Sequence, residues 1–295
     1  MKKIYLVDDD EDDLMFTRQA LESVLEDVEI IELSDGSRLL DLMEQDDLQE
    51  PSLVLMDVNM PRVTGLEALS IMKSHPLRLH IPVILFSTSA NPESVKTAYR
   101  LGANAYIVKP AAFEGYMHVA HAINLCFLNN YAAVKPSLNA KTLHGKNVMI
   151  IEDNSDHSSL MRLCLKQEAP GLNLIHKSTA DDVAEFFSSA GSAALLAVDL
   201  VILDLYMPTR ELGLTLLTCI REMFTTKGLA SIPIVILSSS GHLEDIKTSY
   251  QHHANAYLVK TSEPGKTFSY LKDLCYFWQN TIISPRETAR KKGFY

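Results

Sequence analysis

Two sets of polar residues in this chain have types and spacing suited to chemistry on a phosphoryl group. The first is Asp8, Asp9, Asp57, Ser87 and Lys109; the second is Glu152, Asp153, Asp204, Ser238 and Lys260. Three carboxylates offer hard oxygen ligands to a divalent cation such as Mg²⁺. A carboxylate can also attack phosphorus and hold the phosphoryl group as a mixed anhydride. Asp57 and Asp204 are the candidate nucleophiles. Asp9 fits a direct metal ligand with Asp57, and Asp8 a ligand through water. Lys109 supplies a point charge for phosphoryl oxygens, and the Ser87 hydroxyl a donor.

Each of these residues follows a short apolar run. The runs are IYLV, LVLM, VILF and AYIV in the first set, and VMII, LVIL, IVIL and AYLV in the second. Continuous apolar runs of this length predict strands buried on both faces of a parallel sheet. The polar residue after each run then lies at the carboxyl edge, where open α/β sheets bind ligands. A lone Asp at a strand end is ordinarily a helix cap and a lone Lys a solvated charge. Recurrence of the whole set in the same order is not explained by capping.

The register supports duplication. Asp9 and Asp153 are 144 residues apart, Asp57 and Asp204 147, and Gly65 and Gly213 148. Ser87 to Ser238 and Lys109 to Lys260 are both 151. The offsets only grow, as a few loop insertions require. A period this long signals duplicated domains rather than a solenoid. In the first copy the strands are expected at Ile4–Val7, Glu29–Leu33, Leu53–Met56, Val83–Ser87 and Ala105–Val108. Helices are expected from about Asp13 to Leu25, Ser37 to Glu44, after Gly65 to about His75, from Asn91-Pro92 to Leu101, and from Phe113 to Asn130. Ser34-Asp35-Gly36 and Asn91-Pro92 read as helix starts, and Gly102 as a helix stop. That alternation is (βα)5, a parallel five-stranded sheet with right-handed crossovers.

The expected organisation is a domain over 1–133, a linker over 134–145, a second domain over 146–283 and a tail over 284–295. The tail's Arg290-Lys291-Lys292 reads as solvated charge. The chain has 295 residues, 47% hydrophobic and 22% charged, with a net charge of −10, which argues against general nucleic-acid binding. Part of that charge is local, since residues 8–13 are five Asp and one Glu. Cys126, Cys164, Cys219 and Cys275 show no ligand spacing and are read as small core residues of a reducing compartment. No run approaches the ~20 apolar residues of a spanning helix, and the N-terminus lacks a signal-peptide pattern. A cytoplasmic protein with no membrane contact is expected.

The motifs LVDDD, LVLMDVNMPRVTG, ILFSTSA and GANAYIVKP resemble receiver domains of bacterial two-component response regulators throughout. The second copy's LVILDLYMP is similar, so the chain resembles two chemotaxis-type receivers in tandem. The resemblance implies the flavodoxin-like three-layer fold with strand order 2-1-3-4-5. It implies that Asp57, and Asp204 with it, takes a phosphoryl group from a sensor histidine kinase or a histidine phosphotransfer protein. Mg²⁺ would then be held by Asp8, Asp9, Asp57 and the backbone carbonyl of Asn59. In the second copy the corresponding set is Glu152, Asp153, Asp204 and Tyr206. The hydroxyl of Ser87 would turn toward the phosphate and Tyr106 (Tyr257 in the second copy) would move inward, reshaping a face that binds a downstream protein. The resemblance also implies a cis Lys109-Pro110 bond. The second copy departs from the pattern in having Thr261 after its lysine, one extra residue between Asp204 and Gly213, and a bulky Tyr206.

The last predicted helix ends within about 15 residues of the final residue, so output by protein contact, by onward phosphotransfer or by regulation of one receiver by the other is expected. The apolar helix from Phe113 reads either as a buried core helix or as an interface with the second receiver or another copy of the chain. Two other readings stay open. One is an adaptor whose second domain is silent and serves in docking or dimerisation. The other is a phosphatase of the haloacid-dehalogenase type, against which Asn59 and Tyr206 stand where that class places a second Asp.

Overall fold

The computed structural model describes residues 2–44, 50–128, 143–189, 198–227, 229, 232–260 and 270–280. The expected linker up to residue 142, Thr261 and the basic tail lie outside the described residues. The chain divides into two compact units, parting near Asn130.

The first unit runs β1 (Lys2–Val7), α1 (Glu11–Val24), β2 (Val28–Leu33), α2 (Gly36–Met43), β3 (Leu53–Asp57), α3 (Gly65–Ser74), β4 (Val83–Ser87), α4 (Pro92–Arg100), β5 (Ala105–Val108) and α5 (Phe113–Leu128). The second runs β6 (Asn147–Ile151), α6 (Ser155–Glu168), β7 (Asn173–Lys177), α7 (Ala180–Ser189), β8 (Leu200–Asp204), α8 (Arg210–Thr226), β9 (Ile234–Ser238), α9 (Leu243–Gln251), β10 (Ala256–Val259) and α10 (Leu271–Asn280). The first sheet has the order β2-β1-β3-β4-β5 and the second β7-β6-β8-β9-β10, all pairs parallel. Both are the flavodoxin-like arrangement. Every residue of β3, β4, β8 and β9 is buried, as a sheet covered on both faces requires. No described helix is long and apolar enough to cross a membrane.

Local chemistry sets the helix starts. Asp10 caps α1, accepting from the amides of Asp12 and Asp13, so the helix begins two residues before the expected Asp13. Its first turn is Glu11-Asp12-Asp13, which suits the positive end of the helix dipole. Part of the acidic run is therefore a helix start. Asp35 caps α2, which begins at Gly36 and ends at Met43, one residue earlier at each end than expected. Thr64 and Glu67 form a capping box on α3. Asn91 caps α4 with Pro92 in its first turn, and Gly102 closes it at φ +96°.

Three expectations are corrected. Lys109–Pro110 is trans, the lower-energy isomer; among the described residues the cis bond is Met207–Pro208. Cys219 is exposed on α8 and Cys164 is half-buried, so only Cys126 and Cys275 are core residues. Leu143, placed in the expected linker, is buried and closes a turn with Lys146. Helix α5 is buried around most of its circumference, from Val119 to Leu128.

One glycine per unit fixes the distance between the candidate nucleophile's strand end and the following helix. A Cβ on Gly65 would lie 2.0 Å from the carbonyl oxygen of Asp57, and one on Gly213 1.8 Å from that of Leu205. Backbone cannot yield as a flexible side chain would. Gly65→Ala and Gly213→Ala are each expected to destabilise their own unit by roughly 1–3 kcal/mol or more, the cost of forced overpacking. Chemical denaturation of each variant checks this, and an unmoved midpoint would show that the strand end can shift.

Candidate functional site

The sheet delivers the candidate residues to one edge. Asp57 is the last residue of β3 and Ser87 the last of β4, while Asp8 and Lys109 directly follow β1 and β5. The Asp8 amide donates to Leu33 O at 3.0 Å and the Lys109 amide to Ser87 O at 2.8 Å, extending the ladders past the strand ends. In the second unit Glu152 and Lys260 do the same, to Lys177 O at 3.1 Å and Ser238 O at 2.6 Å.

The first cluster is organised by one ammonium. Lys109 Nζ lies 2.7 Å from Asp8 Oδ2, 2.8 Å from Asp57 Oδ1 and 2.8 Å from Asp13 Oδ2. Asp13 also accepts from the Tyr116 hydroxyl of α5 at 2.8 Å. The second carboxylate oxygen of Asp57 accepts from the Asn59 amide. Burial works against the charge on Lys109, but its bonds to Asp13, Asp57 and Asp8 hold its pKa above the ordinary lysine value. Burial pushes Asp8 up to about 6, against the pull of Lys109. Tyr116 is raised by burial and by its bond to Asp13.

The second cluster keeps the plan with different parts. Lys260 Nζ lies 2.7 Å from Glu152 Oε2 and 3.0 Å from Asp204 Oδ2. Where the first unit has Asp13, 144 residues earlier, the second has His157, whose Nδ1 is 3.5 Å from Lys260 Nζ. Burial and the neighbouring Asp204 raise the pKa of Glu152, and Lys260 opposes them. The Tyr206 amide donates to Asp204 Oδ1 at 3.3 Å.

The units differ in how tightly the acids converge. Glu152, Asp153 and Asp204 can each place one oxygen within 4.8 Å of the others, with Asp153 exposed. Among the described residues Asp8, Asp9 and Asp57 do not form such a group: Asp8 and Asp57 face Lys109, and Asp9 is exposed. Glu152 is one methylene longer than Asp8. An all-oxygen acidic cluster of this kind fits Mg²⁺ or a similar hard cation.

The hydroxyls and aromatics sit beside these clusters. The buried Ser87 Oγ accepts from the Ser89 amide at 3.3 Å, and Ser238 Oγ from the Ser240 amide at 3.1 Å. Tyr106 and Tyr257 are fully buried, their hydroxyls donating to Ser89 O at 2.7 Å and Ser240 O at 2.8 Å. Sequence reasoning missed Asp13 and Tyr116, whose partners lie 96 and 103 residues apart in sequence. It also missed Asp245, Arg210 and Ser240. The replacement of Asp13 by His157 between otherwise matching copies was the available signal for the first.

Comparison with known proteins places both units in one family. The family model described as the response regulator receiver domain matches twice, over residues 4–120 and 148–272. Response regulator Rcp1 of Synechocystis sp. is 34% identical over 131 residues, 43% of this chain and 89% of Rcp1. The probable methanogenesis regulatory protein FilR2 of Methanothrix harundinacea is 34% identical over 114 residues, 38% of this chain and 74% of FilR2. Among solved structures, the Mn²⁺-bound form of Rcp1 aligns at 28% identity with a TM-score of 0.41. That alignment covers 46% of this chain and all of Rcp1.

Lys109 is bonded to three carboxylates, two of them buried, and its own side chain is 5% exposed. Removing one partner of a buried ionic group leaves uncompensated charge and typically costs about 3–5 kcal/mol. Lys109→Met is expected to lower the unfolding free energy of the first unit by an amount of that order. Urea titration measures it, and a change under a few tenths of a kcal/mol would mean that water already screens the cluster.

Proposed function

The chain belongs to the response regulator receiver domain family in both of its units, and from that premise we propose that Asp57 and Asp204 are phosphoryl acceptors. Proteins built on such domains serve two-component signalling. The observation that carries the proposal is the lysine at each sheet edge. Lys109 Nζ stands 2.8 Å from Asp57 Oδ1 and Lys260 Nζ 3.0 Å from Asp204 Oδ2, each also bonded to the buried acid that follows β1 or β6.

The donor is the phosphohistidine of a sensor histidine kinase or a histidine phosphotransfer protein. A carboxylate oxygen of Asp57 attacks the phosphorus, the P–N bond breaks as the O–P bond forms, and the imidazole leaves with the electron pair. Attack by an anion on an anionic phosphoryl group needs local positive charge. Lys109 supplies one fixed charge and Ser87 a hydrogen-bond donor for a phosphoryl oxygen. Mg²⁺, when bound, neutralises the remaining negative charge on the transferring oxygens. Its ligands would be Asp8, Asp9, Asp57 and the Asn59 carbonyl in the first receiver. In the second they would be Glu152, Asp153, Asp204 and the Tyr206 carbonyl. Ser87 and Tyr106 relay the change to the α4–β5–α5 face, which a downstream protein reads, and Ser238 and Tyr257 hold the matching positions in the second receiver. The receivers occupy residues 1–133 and 146–283, the second entered through the turn that begins at the buried Leu143, and the protein acts in the cytoplasm as a signalling switch rather than a turnover enzyme.

Intact mass after treatment with acetyl phosphate and Mg²⁺ tests this on wild type, Asp57→Asn and Asp204→Asn. Two phosphoryl groups are expected on wild type and one on each variant. A wild type that gains mass while neither variant loses any would place the acceptors elsewhere. A chain that gains none from the small donor or from a phosphorylated histidine kinase would remove the acceptor role.

A pH dependence follows from Asp8, held at about 6 by burial. Bound Mg²⁺ requires the carboxylate, so binding at the first site releases a proton below that pH. Mg²⁺ affinity measured calorimetrically on Asp204→Asn is expected to be flat above about pH 7. It should weaken toward tenfold per pH unit below about pH 6, the limit for one competing proton. Affinity unchanged down to pH 5 would remove Asp8 from the ligand set.

A further inference from the structure

The loop that follows the candidate acceptor is tied in opposite directions in the two units. In the first, Arg62 has φ +66°, lies in the loop before α3 and pairs with Asp35, the cap of α2. In the second, the one extra residue falls in this loop, and Thr209 caps α8 there. That cap starts the helix early and makes Arg210, the counterpart of Arg62, its first residue. Arg210 turns to the other side and pairs with Asp245 in the first turn of α9. The Asp35 position is Thr179 in the second unit, and the nearby Asp182 is already bonded to Ser178 and Thr179.

Asp245 gathers three partners. It accepts from Arg210 Nε, from the Tyr206 hydroxyl at 3.1 Å and from the Ser240 hydroxyl. The residue is buried, and these donors hold its carboxylate below the usual range against the effect of burial. Tyr206 is two residues past Asp204, and Ser240 two past Ser238. Ser240 in turn accepts from the His242 amide at 3.2 Å and, through its carbonyl, from Tyr257. One carboxylate thus bridges both loops that flank the second cluster. In the first unit the corresponding residues are Asn59 and Ser94, and no hydrogen bond joins them among the described residues.

We propose that Asp245 is a positioning residue that clamps the loop after Ser238 to the loop after Asp204. The loop over 239–242 of the second receiver is therefore held in place by the chain's own side chains. The matching loop over 88–91 of the first, held by Tyr106 and by the Asn91 cap, lacks that bridge to the loop after Asp57 among the described residues. The clamp is a property of the fold. Its consequence for signalling, that phosphorylation moves the first loop and not the second, rests on the acceptor reading above.

Hydrogen exchange read by mass spectrometry on the full chain tests it, with wild type, Asp245→Ala, Asp245→Asn and Tyr206→Phe. In unmodified wild type, amides 239–242 are expected to exchange about tenfold or more slowly than amides 88–91, the effect of one charge-assisted hydrogen bond. Asp245→Ala and Asp245→Asn bring the two loops to similar rates while β8 and β9 stay protected, which shows the unit still folded. Tyr206→Phe gives an intermediate rate. Equal rates in wild type, or a rate unmoved in both Asp245 variants, overturns the clamp. The same samples after acetyl phosphate and Mg²⁺ are weighed and exchanged again. Protection should change at 88–91 in wild type, and at 239–242 only in the Asp245 variants. An equally large change at 239–242 in phosphorylated wild type overturns the signalling consequence. A missing phosphoryl group on Asp204 counts against the acceptor reading of the second unit, and the unmodified comparison still decides the clamp.

Discussion

The arrangement of both units depends on balancing carboxylates that the fold buries. A buried carboxylate unrelieved by a partner gives up its charge or destabilises the chain by several kcal/mol. Here the relief is one ammonium per sheet, placed by the strand just before it. Lys109 and Lys260 emerge from β5 and β10 with their amides still on the ladder, so the side chains start from a fixed point. The lysine's own strand is the edge strand, and its side chain must reach back across β4 or β9 to the acids. The hydroxyl strand therefore lies between acid and base. The balance is incomplete, since one ammonium meets three carboxylates in the first cluster. That excess pushes no charge off Lys109 but, with burial, keeps Asp8 at about 6. A site left with surplus negative charge and open oxygen valences is suited to a hard cation.

Duplication makes the two copies controls for each other. What they share is set by strand ends: acid, acid, hydroxyl and lysine. A glycine whose Cβ would strike a backbone carbonyl closes the same loop in both, although the struck residue shifts from Asp57 to Leu205. A buried Asn fixes the start of the fourth strand in each, Asn104 accepting from the Val83 amide and Asn255 from Ile234, both at 2.9 Å. A basic residue of the third helix backs each of them, Lys73 in one and Arg221 in the other. What differs lies in loops and helix starts: Asp8 against Glu152, Asp13 against His157, and Asn59 against Tyr206. These changes leave the sheets intact and alter which groups surround Asp57 and Asp204.

The strands were legible because their physics is local. A run buried on both faces must be apolar, and the limits of β4 and β5 follow from where the run meets Ser87, Lys109 and the turn residues. Helix starts were less so, because residues 8–13 serve two purposes that look alike in sequence. Asp10 is a cap and Asp8 a buried site acid, and only the fold separates them. Asp13 was illegible for a further reason. Its position in the first turn of α1 satisfies the helix dipole, yet its partners come from β5 and α5, about a hundred residues on. The Asp245 network shows the same limit. An Asp in the first turn of a helix reads as a dipole or capping residue, and nothing in the spacing indicates that Tyr206 and Arg210 converge on it.

Magnitudes explain why such loop contacts can set behaviour while the core sets the fold. Moving a two-state element from 1:99 to 99:1 takes about 5.5 kcal/mol. A hydrogen bond to a charged group contributes about 1.5–3 kcal/mol, and a neutral one about 1 kcal/mol. Asp245 draws three donors, one of them a guanidinium in a half-buried side chain. Even with non-additivity, that sum approaches the range needed to hold a loop in one state. The first unit's loop shares the Tyr106–Ser89 and Ser89–Ser87 bonds with the second and adds the Asn91 cap of α4, all of them neutral. Neutral bonds of that size restrain the loop less than three donors on one buried carboxylate do. The same fold therefore carries two differently tied loops, the difference lying in one inserted residue and the direction in which an arginine points.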